Sequence, residues 1–172
     1  DPLNARGAAV RQAIDYIAAN STVSTVGYLG FAASVSQVRR RLQMSSSSNV
    51  TTVKGSVVLT NSSGTTYRGP LDTAKRWLND TSLRKNPKAA IVFISDGANT
   101  GASYSDLINA LMPPIYGIFL GKNATADTAN LVQLANQTGG AYYRVPPTKP
   151  DSLASVVRII LNRILQNYDP DL

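Results

Sequence analysis

Residues 89–97, Ala89-Ala90-Ile91-Val92-Phe93-Ile94-Ser95-Asp96-Gly97, decide the fold. The apolar run at 89–94 has the length and composition of a strand buried on both faces, as occurs in parallel sheets. It stops abruptly at Ser95-Asp96-Gly97. In an open parallel sheet, ligands bind beyond the carboxyl ends of the strands, and Asp96 stands at such an end. A carboxylate beside a dry core is costly unless it is paired or bound to a cation. Gly97 permits a sharp turn or a close backbone approach. A plain loop aspartate capping the next turn would also fit, and position alone leaves both readings open.

Downstream of this strand the pattern alternates. Residues 104–112 read as a helix and 115–120 as a strand. Residues 125–138 read as a helix capped by Thr125 and stopped by Gly139-Gly140. Residues 141–145 then read as a strand, and 152–165 as an amphipathic helix with Asp151 as its cap. Strands alternating with helices of this length imply right-handed βαβ units, hence a doubly wound, mostly parallel α/β sheet with helices on both faces.

Upstream, Asp1 suits an N-cap and Pro2 a first helical residue. Val10, Ala13, Ile14 and Ile17 follow at helical spacing, and Asn20-Ser21-Thr22 breaks the pattern. Residues 24–31 read as a buried strand. Residues 35–42 read as a more polar one, whose arginines suggest an exposed edge. The stretch 43–66 is hardest to read: 45–48 is a polar serine run, 50–59 fits a strand or irregular chain, and 61–64 is turn-like. The helical period returns at 71–78.

Composition narrows the chemistry. With 172 residues, 43% apolar and 16% charged, the chain is long enough for a full core. No apolar run approaches the roughly 20 residues of a membrane span, so no membrane insertion is expected. There is neither Cys nor His, and all ten acids are Asp. This removes disulfides, thiolate nucleophiles, sulfur metal sites and the commonest general base. Asp, Ser, Thr and backbone oxygens suit a hard cation such as Mg²⁺, Ca²⁺ or Mn²⁺. The net charge of +7 is mostly scattered, with one cluster at Arg39-Arg40-Arg41. Only Tyr28 and Phe31 lie nearby, and an RNA reader interleaves such charge with aromatics, so the cluster reads as a solvated face and no nucleic-acid partner is expected.

Thr65 stands in Gly64-Thr65-Thr66-Tyr67, ahead of the helix at 71–78. Its hydroxyl could cap that helix or bind an ion.

These loops carry a resemblance to the von Willebrand factor type A family. That family builds a metal ion-dependent adhesion site from three loops: Asp-x-Ser-x-Ser after the first strand, a Thr from a Gly-Thr-x-Tyr-like loop, and an Asp from a strand–Asp-Gly turn. Residues 64–71 look like the second loop and 91–97 like the third. The run 131–143, LVQLANQTGGAYY, is similar to the family's helix, Thr-Gly-Gly and aromatic strand. Asp1-Pro2-x-x-x-Arg6 resembles the segment that follows the first loop. The resemblance spans nearly the whole chain and is weakest at 43–63.

The resemblance implies a Rossmann-like sheet of order 3-2-1-4-5-6. It also implies a divalent cation, Mg²⁺ first, held by Thr65 and Asp96, with Gly64, Thr66 and Gly97 shaping the ligand-binding loops. The partner would be a protein or other surface ligand offering an acidic group. No Asp-x-Ser-x-Ser is present: 80–84 has one Ser too few and follows a helix, and 151–155 starts one. The expectation is therefore a single domain over 1–172 that lacks strand one, with that strand supplied by the parent chain.

The expected function is a non-enzymatic adhesion module at the cell surface, bacterial and pilus-associated. A structural domain binding through its basic surface is the alternative. An aspartate-based phosphatase is a further one, although Ala98 stands where such chemistry usually wants a second carboxylate. Six Asn-x-Ser/Thr sequons occur, at Asn20, Asn49, Asn61, Asn79, Asn123 and Asn136, and an Asn-, Ser- and Thr-rich composition generates some of these by chance.

Overall fold

The computed structural model describes residues 2–21, 23–58, 64–79, 89–96, 99–108, 112–121, 128–146, 149 and 152–168. The elements in order are α1 (Pro2–Asn20), β1 (Thr25–Phe31), β2 (Val35–Gln43), α2 (Ser47–Gly55), α3 (Arg68–Asn79), β3 (Ile91–Ser95), a 3₁₀ turn (Ser105–Leu107), β4 (Ile115–Phe119), α4 (Ala129–Thr138), β5 (Tyr142–Arg144) and α5 (Ser152–Tyr168). Among the described residues no helix is long and apolar enough to cross a membrane. The chain divides into two compact units: 1–30 with 35–61 and 149–172, and 31–34 with 62–148.

In the first unit, α1 packs against α5 and α2. Ile14, Met44, Val53 and Val57 are buried together, with Val10, Ile17, Val26, Tyr28, Leu42 and Val50 against them. Strands β1 and β2 form a two-stranded sheet. Only three residues join them, which allows an antiparallel hairpin but no parallel crossover. Arg39 and Arg40 are exposed on β2, as the edge reading anticipated.

Helix α2 departs from the sequence reading, which left 45–48 as a polar run and 50–59 as strand or irregular chain. Ser46 has extended backbone and its side chain accepts from the Asn49 N–H, so one serine of the run is an N-cap. Val50, Val53 and Val57 then fall at helical spacing on the core. Tertiary burial overrides the β preference of this Val- and Thr-rich stretch. Fully burying Val53 contributes about 1.5–3 kcal/mol.

In the second unit β3, β4 and β5 form a parallel sheet in that order. Ile91 pairs with Ile115 and Ser95 with Phe119; Gly117 pairs with Tyr142 and Phe119 with Arg144. Every residue of β4 is buried. Strand β3, which the apolar run marked as buried on both faces, has only Phe93 and Ser95 buried and the rest half-buried. It lies at the edge of its three-stranded sheet, whereas β4 is flanked on both sides. The core gathers Tyr67, Leu71, Phe93, Tyr104, Leu107, Met112, Ile115, Phe119, Leu131 and Leu134.

The parallel α/β architecture is therefore as expected, and the described strands fall into two groups, β1-β2 and β3-β4-β5, rather than one contiguous five-stranded sheet.

Several helices differ from their expected extents, α3 and α5 by being longer than read. In place of a helix over 104–112 there is a single 3₁₀ turn, because Ile108 is extended (φ −86°, ψ 108°) and ends it; 109–111 lie outside the described residues. Helix α4 is described from Ala129, with Thr128 preceding it and making no side-chain cap bond. The expected caps Thr125 and Asp151, and Asp1 at the start, lie outside the described residues. The stop is as read: Gly139 is left-handed (φ 72°) and closes α4. A Cβ on Gly140 would overlap the Ile115 carbonyl, so a glycine is needed where the chain turns from α4 alongside β4.

Candidate functional site

Three stretches of the second unit meet: the tight turn at 32–34, the loop 64–67 and residues 99–103, which follow β3 in the chain. The sheet fixes the base. Leu120 N–H donates to the Ser95 carbonyl (2.9 Å), which ties the carboxyl end of β3 to that of β4. Ser95 is buried, and Asp96, the next residue, is exposed. Asp96 thus stands on the carboxyl rim of a parallel sheet. Gly97 lies outside the described residues.

The loop 64–67 is built by its backbone. Gly64 has φ 86°, a left-handed conformation that L side chains rarely adopt. Thr66 N–H donates to the Ala32 carbonyl (2.7 Å). Tyr67 anchors the loop in the core; it is fully buried, with ring centroids 4.8 Å from Phe93 and 5.7 Å from Tyr104. Helix α3 starts at Arg68, and Pro70 is tolerated in its first turn, where the missing N–H has no helical partner to lose.

The segment after Asp96 is stitched onto that loop. Thr100 N–H donates to the Thr65 carbonyl (2.8 Å). The Thr100 hydroxyl also donates to that carbonyl (3.0 Å) and accepts from the Thr65 N–H (3.1 Å). Asn99 Oδ1 accepts from the Tyr67 N–H (3.0 Å), while its Nδ2 donates to the carbonyls of Gly101 and Ala102 (3.3 Å each). A Cβ on Gly101 would overlap Thr66 Oγ1 and lie 2.8 Å from Thr66 Cβ, so the backbones approach as closely as a glycine allows. Four peptide links join Asp96 to Thr100, which keeps their Cα atoms within about 14 Å.

Charge holds the outer end. Arg68 donates to the Ser103 carbonyl (2.6 Å) and makes a bidentate pair with Asp106 (2.6 and 2.7 Å). The hydrogen bond from Arg68 holds the Asp106 carboxyl below its ordinary range, and the same bond raises Arg68. Desolvation raises Tyr104, whose hydroxyl donates to Asn130 Oδ1 (2.8 Å).

Of the residues singled out from sequence, Gly64, Thr65 and Thr66 share one loop, and that loop is bound to the segment that Asp96 begins. Thr65 does not start α3, and its backbone is engaged by Thr100 on both its N–H and its carbonyl. Asn99 and Thr100 were missed. The signal available was a side-chain amide and a hydroxyl directly after an Asp-Gly turn, with Gly101 marking a close approach. The donors here are Asp96 carboxylate and Thr hydroxyls, all hard oxygen. Among the described residues no three His, Cys, Asp or Glu gather as a metal cluster. One carboxylate with neutral hydroxyls is a sparse donor set for a divalent cation, so further oxygens would have to join it.

No family profile matches the sequence, and no curated sequence relative matches it. Solved structures do. A von Willebrand factor type A protein from Catenulispora acidiphila superposes with TM-score 0.76 at 17% identity, over 95% of this chain and 38% of that one. The pilus adhesin SpaC from Lactobacillus rhamnosus GG, in its open conformation, gives 0.75 at 12% identity, over 96% of this chain and 28% of that one. The conserved hypothetical protein BatB from Bacteroides thetaiotaomicron gives 0.67 at 14% identity, over 95% and 88%. The chain thus spans well under half of the first and the adhesin, and nearly all of the third. At these identities the likeness is one of fold, and the fold is that of a von Willebrand factor type A domain.

Proposed function

We propose that this chain is a non-enzymatic, metal-dependent binding module of the adhesive kind, acting at a cell surface. One observation carries the reading: the Gly64–Tyr67 loop is bound through Thr65 to Thr100, in the segment that follows Asp96 at the carboxyl rim of the sheet. A hydroxyl loop and a carboxylate loop held at one rim suit a hard cation.

Thr65 and Asp96 are the proposed ligands from this chain, and Mg²⁺ the proposed ion, with Ca²⁺ or Mn²⁺ as substitutes. Further oxygens would have to join these two, and we propose an Asp-x-Ser-x-Ser loop as their source. A bound divalent cation would supply an electrophilic position for an acidic group on a partner protein. Gly64 and Thr66 shape the loop beside it; Gly97, proposed with them, lies outside the described residues. The likeness to a pilus adhesin supports the adhesive reading and a surface location, which we propose to be bacterial.

The test is adhesion of the parent protein to a surface bearing carboxylates, measured with Mg²⁺ and then with a chelator. Retention that requires Mg²⁺ and is abolished by Asp96→Ala is expected. Equal retention with chelator, or no effect of Asp96→Ala, would contradict the proposal.

A further inference from the structure

The sequons are the one sequence motif that the cation reading does not use. Ser and Thr make up about a fifth of the chain, so roughly two of its thirteen asparagines would stand in sequons by composition alone; six do. Their placement sorts them. Asn20 is the last residue of α1 and Asn79 the last of α3, and both are exposed. Asn136 is exposed on α4. Asn49 is half-buried in the first turn of α2, with its amide donating to the Gln43 carbonyl (3.0 Å). Asn61 and Asn123 lie outside the described residues. By contrast, Asn99 and Asn130, whose amides bond across to other segments, are not in sequons.

From this we infer that Asn20 and Asn79 are N-glycosylation sites, each carrying an oligosaccharide where a helix ends at the surface. In the transfer, the asparagine Nδ2 attacks C1 of a sugar carried on a lipid pyrophosphate. The N–C1 bond forms and the bond from C1 to the phosphate oxygen breaks. The lipid pyrophosphate leaves with the bonding pair, and one amide proton passes to a base of the transferase. The linked amide keeps its other N–H, so the bond from Asn20 Nδ2 to the Tyr16 carbonyl (2.8 Å) survives the modification. A bulky polar group at either position projects from a helix end and displaces no core side chain.

Asn136 reports when transfer happens. The hydroxyl of its sequon, Thr138 Oγ1, donates to the Leu134 carbonyl (2.7 Å) and accepts from the Ile115 N–H (2.9 Å). In the folded protein that hydroxyl is engaged, so sugar at Asn136 requires transfer before folding. The inference needs export, which the proposed surface location supplies, but it rests on residues remote in sequence from Thr65 and Asp96. A failure of metal binding leaves it standing.

The experiment is peptide-level mass spectrometry on the parent protein recovered from the cells that make it. Sugar is expected on the peptides containing Asn20 and Asn79, one glycan being lost in each of Asn20→Gln and Asn79→Gln. Thr22→Val and Thr81→Val, which leave the asparagines in place, should remove the same glycans. Sugar on Asn136 as well would place transfer before folding, and its absence there, with both other sites filled, would place transfer after. If the peptide of either Asn20 or Asn79 carries only its amino-acid mass, the inference is overturned.

Discussion

Thr100 grips Thr65 by three hydrogen bonds. Its N–H and its hydroxyl both reach the Thr65 carbonyl, at 2.8 and 3.0 Å, and the hydroxyl oxygen receives the Thr65 N–H at 3.1 Å. Thr100 thus joins the two loops through both its backbone and its side chain, alongside Asn99, which accepts from the Tyr67 N–H. The glycine that follows it, Gly101, lets the contact close.

Thr100→Val keeps the shape and removes the hydroxyl, leaving the Thr65 N–H without that acceptor. The position is exposed, so water recovers part of the loss. A destabilisation of about 1 kcal/mol is expected, which is roughly 2–4 °C in Tm for a chain of this size. Thermal denaturation followed by circular dichroism measures it. An unchanged Tm would show that the stitch adds nothing to stability.

Gly101→Ala should cost more, about 1–3 kcal/mol, because the new methyl meets Thr66 rather than solvent. The added Cβ overlaps Oγ1 and lies too close to the Thr66 Cβ, so Thr66→Gly in the same chain should restore most of the loss. A double-mutant cycle by urea denaturation checks this. Simple additivity would place the strain somewhere other than this contact.

Tyr67 joins loop to core. It is fully buried, and its ring sits between those of Phe93 and Tyr104, with Phe31 edge-on. Tyr67→Ala is expected to cost about 3–5 kcal/mol, as large aromatic truncations in cores do. Equilibrium unfolding in urea gives the value. A loss under 1 kcal/mol, on the same scale, would contradict this packing.

The Arg68–Asp106 pair makes a prediction about pH. The folded-state carboxyl lies below its ordinary value because Arg68 hydrogen-bonds it. Its contribution is therefore present above the ordinary aspartate range and is lost as pH falls through the lowered midpoint. Carboxyl NMR titration should place Asp106 below the ordinary value of about 3.9, and Arg68→Gln should raise it. An unshifted midpoint in the wild type would show that the pair does not persist in solution.

Most elements were legible because their apolar periods were regular. The run at 89–94 gave β3 its type, and the helical spacing from Val10 to Ile17 gave α1. Gly139, left-handed, ends α4 where the sequence placed the stop. The failures have physical causes. Helix α2 looked like strand or irregular chain because Val50 and Val53 are β-branched, and the core formed with Ile14 and Met44 favours them as helix. The helix expected after Tyr104 is a single 3₁₀ turn because Ile108 turns extended.

Of the residues proposed for the site, the sequence placed Thr65 on a loop and Asp96 at the end of β3. What could not be read was the stitching. Hydrogen bonds between Thr65 and Thr100 and between Tyr67 and Asn99 join positions more than thirty residues apart, and no local pattern encodes such a pairing.

The central claim is that Thr65 and Asp96 hold one cation together. Isothermal titration of the parent protein with Mg²⁺ tests it most directly. The account predicts one saturable site, weakened at least about tenfold, roughly 1.4 kcal/mol, by Asp96→Ala and by Thr65→Ala alike. Wild-type affinity in both variants would contradict it.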